Sequence, residues 1–360
     1  MTADVARAAR AAGLAGRATD VRDVEVRGTD VRGAGTDVTG TVVRGAGTDV
    51  TGTVVRGADA GQRPDARRML QLALAGLWLL DALLQFQAFM FGPGFAQMLR
   101  AAAAGSPAFV TGPANWAAGI VAAHPATANC AFAAIQLLIG LGIAWRPALR
   151  VALAASIAWS VAVWWLGEGL GGLLNGSASP ANGAPGPVIL YALLAVLLWP
   201  GSPARESAFP AGRFTGMAAA RGCWLAAWGG LAALALLPAT RAPGALSRLV
   251  AAAAAGQPHG LATAAGHLSG YLRQHGPAVA FVLAAVLAIV ALGIFLPRPG
   301  VRAILVLALL VAALLWLAQG LGGILTGSGT DPGSGPLLAL LVVAYWPPCG
   351  ARRPGRGVAP

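Results

Sequence analysis

Few residues in this chain could carry chemistry. Asp81 sits in the apolar run LWLLDALLQFQ and Glu168 in WWLGEGLGG. A carboxylate inside a hydrocarbon-embedded helix costs roughly 2.5–3.5 kcal/mol on insertion scales, so one that persists reads as a proton-accepting or ligand-binding group. The competing reading is an interhelical hydrogen bond that fixes packing. Gln85 lies one turn beyond Asp81 and Trp78 one turn before it, on the same side of a helix, whereas Gln87 points elsewhere. The glycines around Glu168 (Gly167, Gly169, Gly171 and Gly172) allow backbone or ligand to approach closely. Asp81 and Glu168 are therefore the candidate catalytic residues, with Trp78, Gln85, Gln136 and Trp165 as candidate ligand contacts.

Other chemistries find little support. His124, His259, His267 and His275 fall between apolar segments with no HxxxH or HExxH spacing, which argues against a metal site. Cys130, Cys223 and Cys349 show no CxxC, and the first two read as buried small apolar residues. There is no P-loop, dinucleotide fingerprint or GxSxG. The net charge of +12 comes entirely from Arg, since Lys is absent. Its placement in short loops speaks for membrane topology rather than for nucleic acid.

Asp81 and Glu168 must be positioned by helices in a bilayer. Hydrophobic residues make up 57% of the 360, charged residues 11%, and the mean hydropathy is +0.68. A soluble domain is closer to 45–50% apolar and about 25% charged, so the whole chain reads as an integral membrane protein in contact with lipid. Apolar runs of spanning length predict helices near 69–91, 127–144, 148–166, 186–200, 219–238, 277–296, 300–318 and 335–347. The fourth and eighth are short for a ~30 Å core and should begin earlier or tilt less. Thirteen Arg fall on one side of this arrangement and four on the other, which puts both termini in the cytoplasm of a multi-pass plasma-membrane protein.

The two halves read as copies. Trp165-Leu-Gly-Glu-Gly-Leu-Gly-Gly172 matches Trp316-Leu-Ala-Gln-Gly-Leu-Gly-Gly323, and Arg146-Pro-Ala-Leu-Arg150 matches Arg298-Pro-Gly-Val-Arg302. Each copy holds four spans, so both insert with the same polarity, as parallel repeats about an axis along the membrane normal. The expected fold is an all-α polytopic membrane protein of two tandem four-helix bundles, over 69–200 and 219–347. A linker at 201–218 joins them and a basic tail at 348–360 follows. Each copy also carries a longer loop between its first two spans, around Ala101–Ala104 and Ala251–Ala255, expected to form a short helix on the outer face. Trp116 would be an interfacial anchor there. Asp81 aligns with Leu231 and Glu168 with Gln319, so the second copy has lost both acids and reads as the structural half.

The span IQLLIGLGIAWRPALRVAL at 135–153 resembles the DoxX family of small membrane proteins. Gln136 occupies the place where that family commonly has Glu, followed by Gly140, Gly142 and the Arg146–Arg150 turn. The resemblance covers 69–200 and, more faintly, 219–347. It implies a membrane component of a redox or stress-response system with a redox partner subunit, and with quinone held near Asp81 and Gln85. The alternatives are a small-solute or ion transporter and a non-catalytic assembly factor.

Residues 1–68 form a low-complexity tail in which GAGTDVTGTVVR occurs at Gly33–Arg44 and again at Gly45–Arg56. Two perfect copies are too few to stack a core, and the composition favours disorder. The tail reads either as a dispensable cytoplasmic extension or as a start placed upstream of the true one at Met69. N-terminal sequencing of the native protein distinguishes the two: a first residue near Met1 supports the extension, and Met69 the later start.

Overall fold

The computed structural model describes residues 65–201 and 208–347, and every regular element among them is helical. The repeats of the N-terminal tail and Cys349 lie outside the described residues. The first half runs α1 (Ala66–Leu84), α2 (Pro93–Ala103), α3 (Ala108–Ala123), α4 (Pro125–Ala144), α5 (Leu149–Leu166) and α6 (Pro187–Leu197). The second runs α7 (Met217–Ala235), α8 (Ala245–Ala253), α9 (His259–Gly293), α10 (Arg298–Ala318) and α11 (Ser334–Ala344). Four stretches, α4, Arg146–Leu166, α9 and α10, are long and apolar enough to cross a membrane. The chain is an integral membrane protein built on these apolar helices.

Within the first half α1 packs on α4, α4 on α5, and α5 on α6; α7 on α9, α9 on α10 and α10 on α11 repeat the order in the second. The halves meet where α6 packs against α11, and α11 also touches α1. Both α6 and α11 are eleven residues long, about 16 Å at 1.5 Å per residue, which is half a bilayer core. Neither helix gains appreciable length from an earlier start than expected. Each short helix is reached through a folded loop, over 169–186 and 320–333, with a short 3-10 turn at its start. Buried non-helical backbone of this kind needs protein cover for its polar groups. Leu190, Tyr191, Leu194, Leu197, Leu337, Leu341 and Val342 are all buried in one continuous apolar core.

The loop geometry recurs between halves. Leu170 (φ 58°) and Leu321 (φ 55°) are the non-glycine residues with left-handed backbone among those described. A Cβ on Gly169 would lie 2.3 Å from the Ala102 carbonyl oxygen, and one on Gly320 would lie 2.5 Å from that of Ala253. Trp164 Nε1 donates to the Pro185 carbonyl and Trp316 Nε1 to that of Pro332. Here Trp164, not Trp165, takes the place of Trp316. The glycine motif aligns the loops, but the first half has one more residue between its tryptophan and Gly169, so the helix register slips by one.

Other elements depart from the sequence expectation. The first span ends at Leu84, and a 3-10 turn (Ala88–Phe91) follows. Asp81 is thus in the last turn of α1 and not at mid-span. The outer loop of the first half folds into two helices, α2 and α3, with a break at His124 (φ −137°, ψ 61°) before α4. The matching segment of the second half continues without interruption through Pro277 as the 35-residue α9. His267 and His275 therefore lie in a helix, and His275 stacks on Tyr271. Cys130 is exposed on the outside of α4 rather than buried, while Cys223 is half-buried.

The arginines read as topological signals also hold helices together. Arg67, buried at the start of α1, donates to the carbonyls of Leu197, Leu198 and Trp199 at the end of α6. Arg68 donates to those of Ile143 and Ala144 at the end of α4. These are the orphan carbonyls of helix C-termini, where a cation is favoured. Arg67→Ala should lower stability by about 2 kcal/mol, within the range for hydrogen bonds to charged groups, with Arg67→Lys in between. The thermal unfolding midpoint of the detergent-purified chain measures this.

Candidate functional site

Beyond residue 68 the chain has four acidic residues: Asp81, Glu168, Glu206 and Asp331. Glu206 lies outside the described residues. The other three line one cavity of about 320 Å³. Its walls are otherwise apolar and aromatic: Trp78, Phe95, Trp116, Phe132 and Trp159, with Leu99, Ile120, Val163 and Leu166. Gln85 and Gln136 add polar groups, and no Arg or His lines it.

Each acid reaches the cavity by a different route. Asp81 projects from the last turn of α1 and is 2% exposed. Trp78, one turn earlier, is fixed by its Nε1 donating to Ser156 Oγ at 3.0 Å and by the Tyr191 ring at 4.2 Å between centroids. The Tyr191 hydroxyl lies beside Asp81 and is itself a buried group with no hydrogen-bond partner. Glu168 follows α5, and its Oε1 accepts from Val188 N at 3.2 Å, at the N-terminus of α6. Its Oε2 sits against Gly186, where a Cβ would overlap it at 1.9 Å. Asp331 comes from the second half: its Oδ1 accepts from Gly333 N at 2.7 Å and its Oδ2 from the Thr330 hydroxyl at 3.0 Å. Gln85 Nε2 donates to the Thr330 carbonyl at 3.4 Å, which ties that loop to α1.

The polar atoms in this cavity are incompletely matched. Asp81 Oδ1, Gln85 Oε1, Gln136 Oε1 and Glu168 Oε2 are buried acceptors with no protein partner, and Trp159 Nε1 is a buried donor with none. Leaving a buried polar group unsatisfied costs about 1–3 kcal/mol each, so the arrangement is expensive unless something else meets it. Burial pushes the Glu168 carboxyl well above its ordinary range, and the nearby Asp331 charge adds to this while the Val188 N–H opposes it. Burial also raises Asp331, against the Gly333 N–H and the Thr330 hydroxyl.

Of the residues expected from sequence, Asp81, Glu168, Trp78, Gln85 and Gln136 converge on the cavity. Trp165 does not. It is 41% exposed, and its Nε1 donates to the Phe109 carbonyl at 3.0 Å. Trp116 is 65% exposed and lines the cavity, so it stands at a mouth. Asp331 was not anticipated, although it is the sole acid of 219–347 and such scarcity is itself a signal. The second half thus contributes an acid, and it does so to the first half's cavity. Among the described residues no group of three His, Cys, Asp or Glu is placed to hold a metal.

The second half fills the corresponding positions. Leu231, Leu287, Ala308 and Val311 stand in register with Asp81, Gln136, Ser156 and Trp159, and all four are buried. Trp228, in register with Trp78, has an unpartnered indole N–H because Ala308 offers no hydroxyl.

Two outcomes follow. Asp81→Leu, which installs the second half's residue, should raise stability by about 1–3 kcal/mol by removing an unpartnered carboxyl, read as a higher unfolding midpoint. The raised Glu168 and Asp331 carboxyls favour the protonated form in the folded state. Their stabilising contribution is complete below about pH 4, the unfolded value, and is lost as pH rises through the folded values. Glu168→Gln combined with Asp331→Asn should flatten that decline in a pH series of unfolding midpoints.

Comparison of the chain with known protein families, with curated proteins and with solved structures finds no match.

Proposed function

We propose that this chain is a membrane-embedded solute-binding protein, a carrier whose cavity takes an amphipathic small molecule. The observation that carries the reading is the set of unpartnered polar atoms, four acceptors and one donor, in a single apolar cavity. A pocket of ~300–1,000 Å³ with a few convergent polar groups is the default form of a small-molecule site. The layout supports a carrier over a static binder. Two half-length helices, α6 and α11, meet between the halves, and the loop before one of them brings Asp331 to the cavity. Discontinuous helices at a repeat interface are how secondary transporters build their sites. The recurrent loop geometry supports two copies of one unit with eight spans and both termini on the Arg-rich side.

The DoxX-like reading, a redox or stress-response component with quinone beside Asp81 and Gln85, places its ligand in the same cavity. A quinone presents carbonyl acceptors only and would leave the glutamine oxygens, Gln85 Oε1 and Gln136 Oε1, unmet whatever the protonation of the acids, which favours a donor-bearing solute instead. Titration of the chain in lipid nanodiscs with decylubiquinone should give no saturable quenching of tryptophan fluorescence beyond that of Ala162→Phe, which fills the cavity. Proteoliposomes loaded with a pH-sensitive dye should show proton movement on addition of a panel of amphipathic solutes, lost in Asp81→Asn. Saturable quinone quenching that Ala162→Phe removes, with no proton movement, would return the redox reading.

A further inference from the structure

The reading of the cavity as a ligand site leaves open which chemistry it admits, and the following inference rests on that reading. The wall is unbalanced in charge and in hydrogen bonding. Three carboxyls face it from three separate elements, Asp81 from α1, Glu168 after α5 and Asp331 before α11. Tyr191, on α6 beside Asp81, is the remaining titratable neighbour. The lining contributions of α2, α3 and α4 are Phe95, Met98, Leu99, Trp116, Ala117, Ile120, Val121, Phe132 and Gln136, none of them charged. No basic side chain offsets the acids.

The aromatic faces point to the same kind of ligand. Phe132 and Trp159 meet at a tilt with centroids 5.7 Å apart, Phe95 and Phe132 meet edge to face at 6.5 Å, and Trp78 and Trp116 also line the cavity. An aromatic ring attracts a cation over its face, most strongly where water is excluded. A carboxylate beside such rings supplies the countercharge and accepts N–H donors. The unpartnered acceptors Asp81 Oδ1, Gln136 Oε1 and Glu168 Oε2 lack donors of that kind. The small volume admits one ring system, not a long chain.

We propose that the cavity binds an apolar organic cation carrying N–H donors, an aryl-alkyl ammonium in chemical class, in exchange for a carboxyl proton. In the empty site the acids hold their protons, which keeps uncompensated charge out of an apolar space. As the ammonium enters, one carboxyl releases its proton to bulk water and becomes the counterion, so the charge within the cavity rises by no net unit. Asp331 makes the site composite: the second half, packed solid at its own matching positions, supplies the acid at the cavity wall. Protons compete with the cation, so affinity rises with pH. The upward displacement of Glu168 and Asp331 by burial extends that rise above the ordinary carboxyl range.

The test uses the full chain in nanodiscs and a matched pair of probes, 2-naphthylmethylamine and 2-naphthylmethanol, read by tryptophan fluorescence. The amine stays protonated across the range from about pH 5.5 to about pH 8, where buried carboxyls titrate. The expected result is amine binding at least about tenfold tighter than alcohol binding at the upper pH, with the preference shrinking as pH falls, as a charge-assisted contact requires. Asp81→Asn, Glu168→Gln and Asp331→Asn should each weaken the amine and leave the alcohol unchanged. Equal, pH-independent binding of the two probes to the unmodified chain would overturn the cation assignment while leaving the ligand site standing. Binding of neither probe, with Ala162→Phe indistinguishable from the unmodified chain, would remove the ligand site itself.

Discussion

A buried backbone N–H or C=O must find a partner inside the protein, and the short helices α6 and α11, each reached through a folded loop, make that demand acute here. Each leaves a stretch of non-helical chain that must be enclosed. The enclosure uses the same devices twice. A tryptophan indole takes a proline carbonyl in each loop, and a glycine lets backbone close on backbone. Glu168 then caps the start of α6, while at the start of α11 the Ser334 hydroxyl donates to Gln319 Oε1 at 2.8 Å. The acid and the amide do equivalent structural work. Only the acid leaves its second polar atom without a protein partner; the amide's Nε2 donates to the Pro180 carbonyl at 3.0 Å.

The difference between the halves follows from a handful of side chains. Where the first half has Asp81, Gln136, Ser156 and Trp159, the second has Leu231, Leu287, Ala308 and Val311, and the space closes. The outer segment differs as well. A break at His124 lets α3 sit apart from α4 and contribute Trp116 and Ile120 to the cavity, whereas the same stretch in the second half is fused into α9. One half is hollow at the cost of unsatisfied polar groups and the other is filled. The half that is filled nevertheless lends Asp331 to its neighbour, so neither is a mere scaffold.

Much of this was legible in the chain before its coordinates. Apolar run lengths anticipated the four stretches long and apolar enough to cross a membrane, α4, Arg146–Leu166, α9 and α10, because hydrocarbon thickness and backbone hydrogen bonding leave little choice of element. Asp81, Glu168, Gln85 and Gln136 stood out because polar groups are scarce in such runs. Three things were not legible. A turn-like GSGTDPGSG segment gives no hint that Asp331 crosses to the other half. Nor does a single inserted residue reveal that Trp164, rather than Trp165, matches Trp316. The stop at Leu84 was hidden because LLQFQ reads as continuing helix; the Asn129 amide donating to the Gln85 carbonyl and Gln85 Nε2 donating to that of Thr330 win over local propensity there.

The clasp made by Arg67 bears on how the chain is assembled. Its acceptors at Leu197–Trp199 lie about 130 residues further along, so roughly ten seconds of synthesis separate donor and acceptors at ~5–20 residues per second. Through that interval the guanidinium lacks those acceptors and must be satisfied by other groups, water among them. The first helix is threaded early but locked late, when the end of α6 has emerged. Synthesis of α1 and its docking on the end of α6 are thereby separated in time.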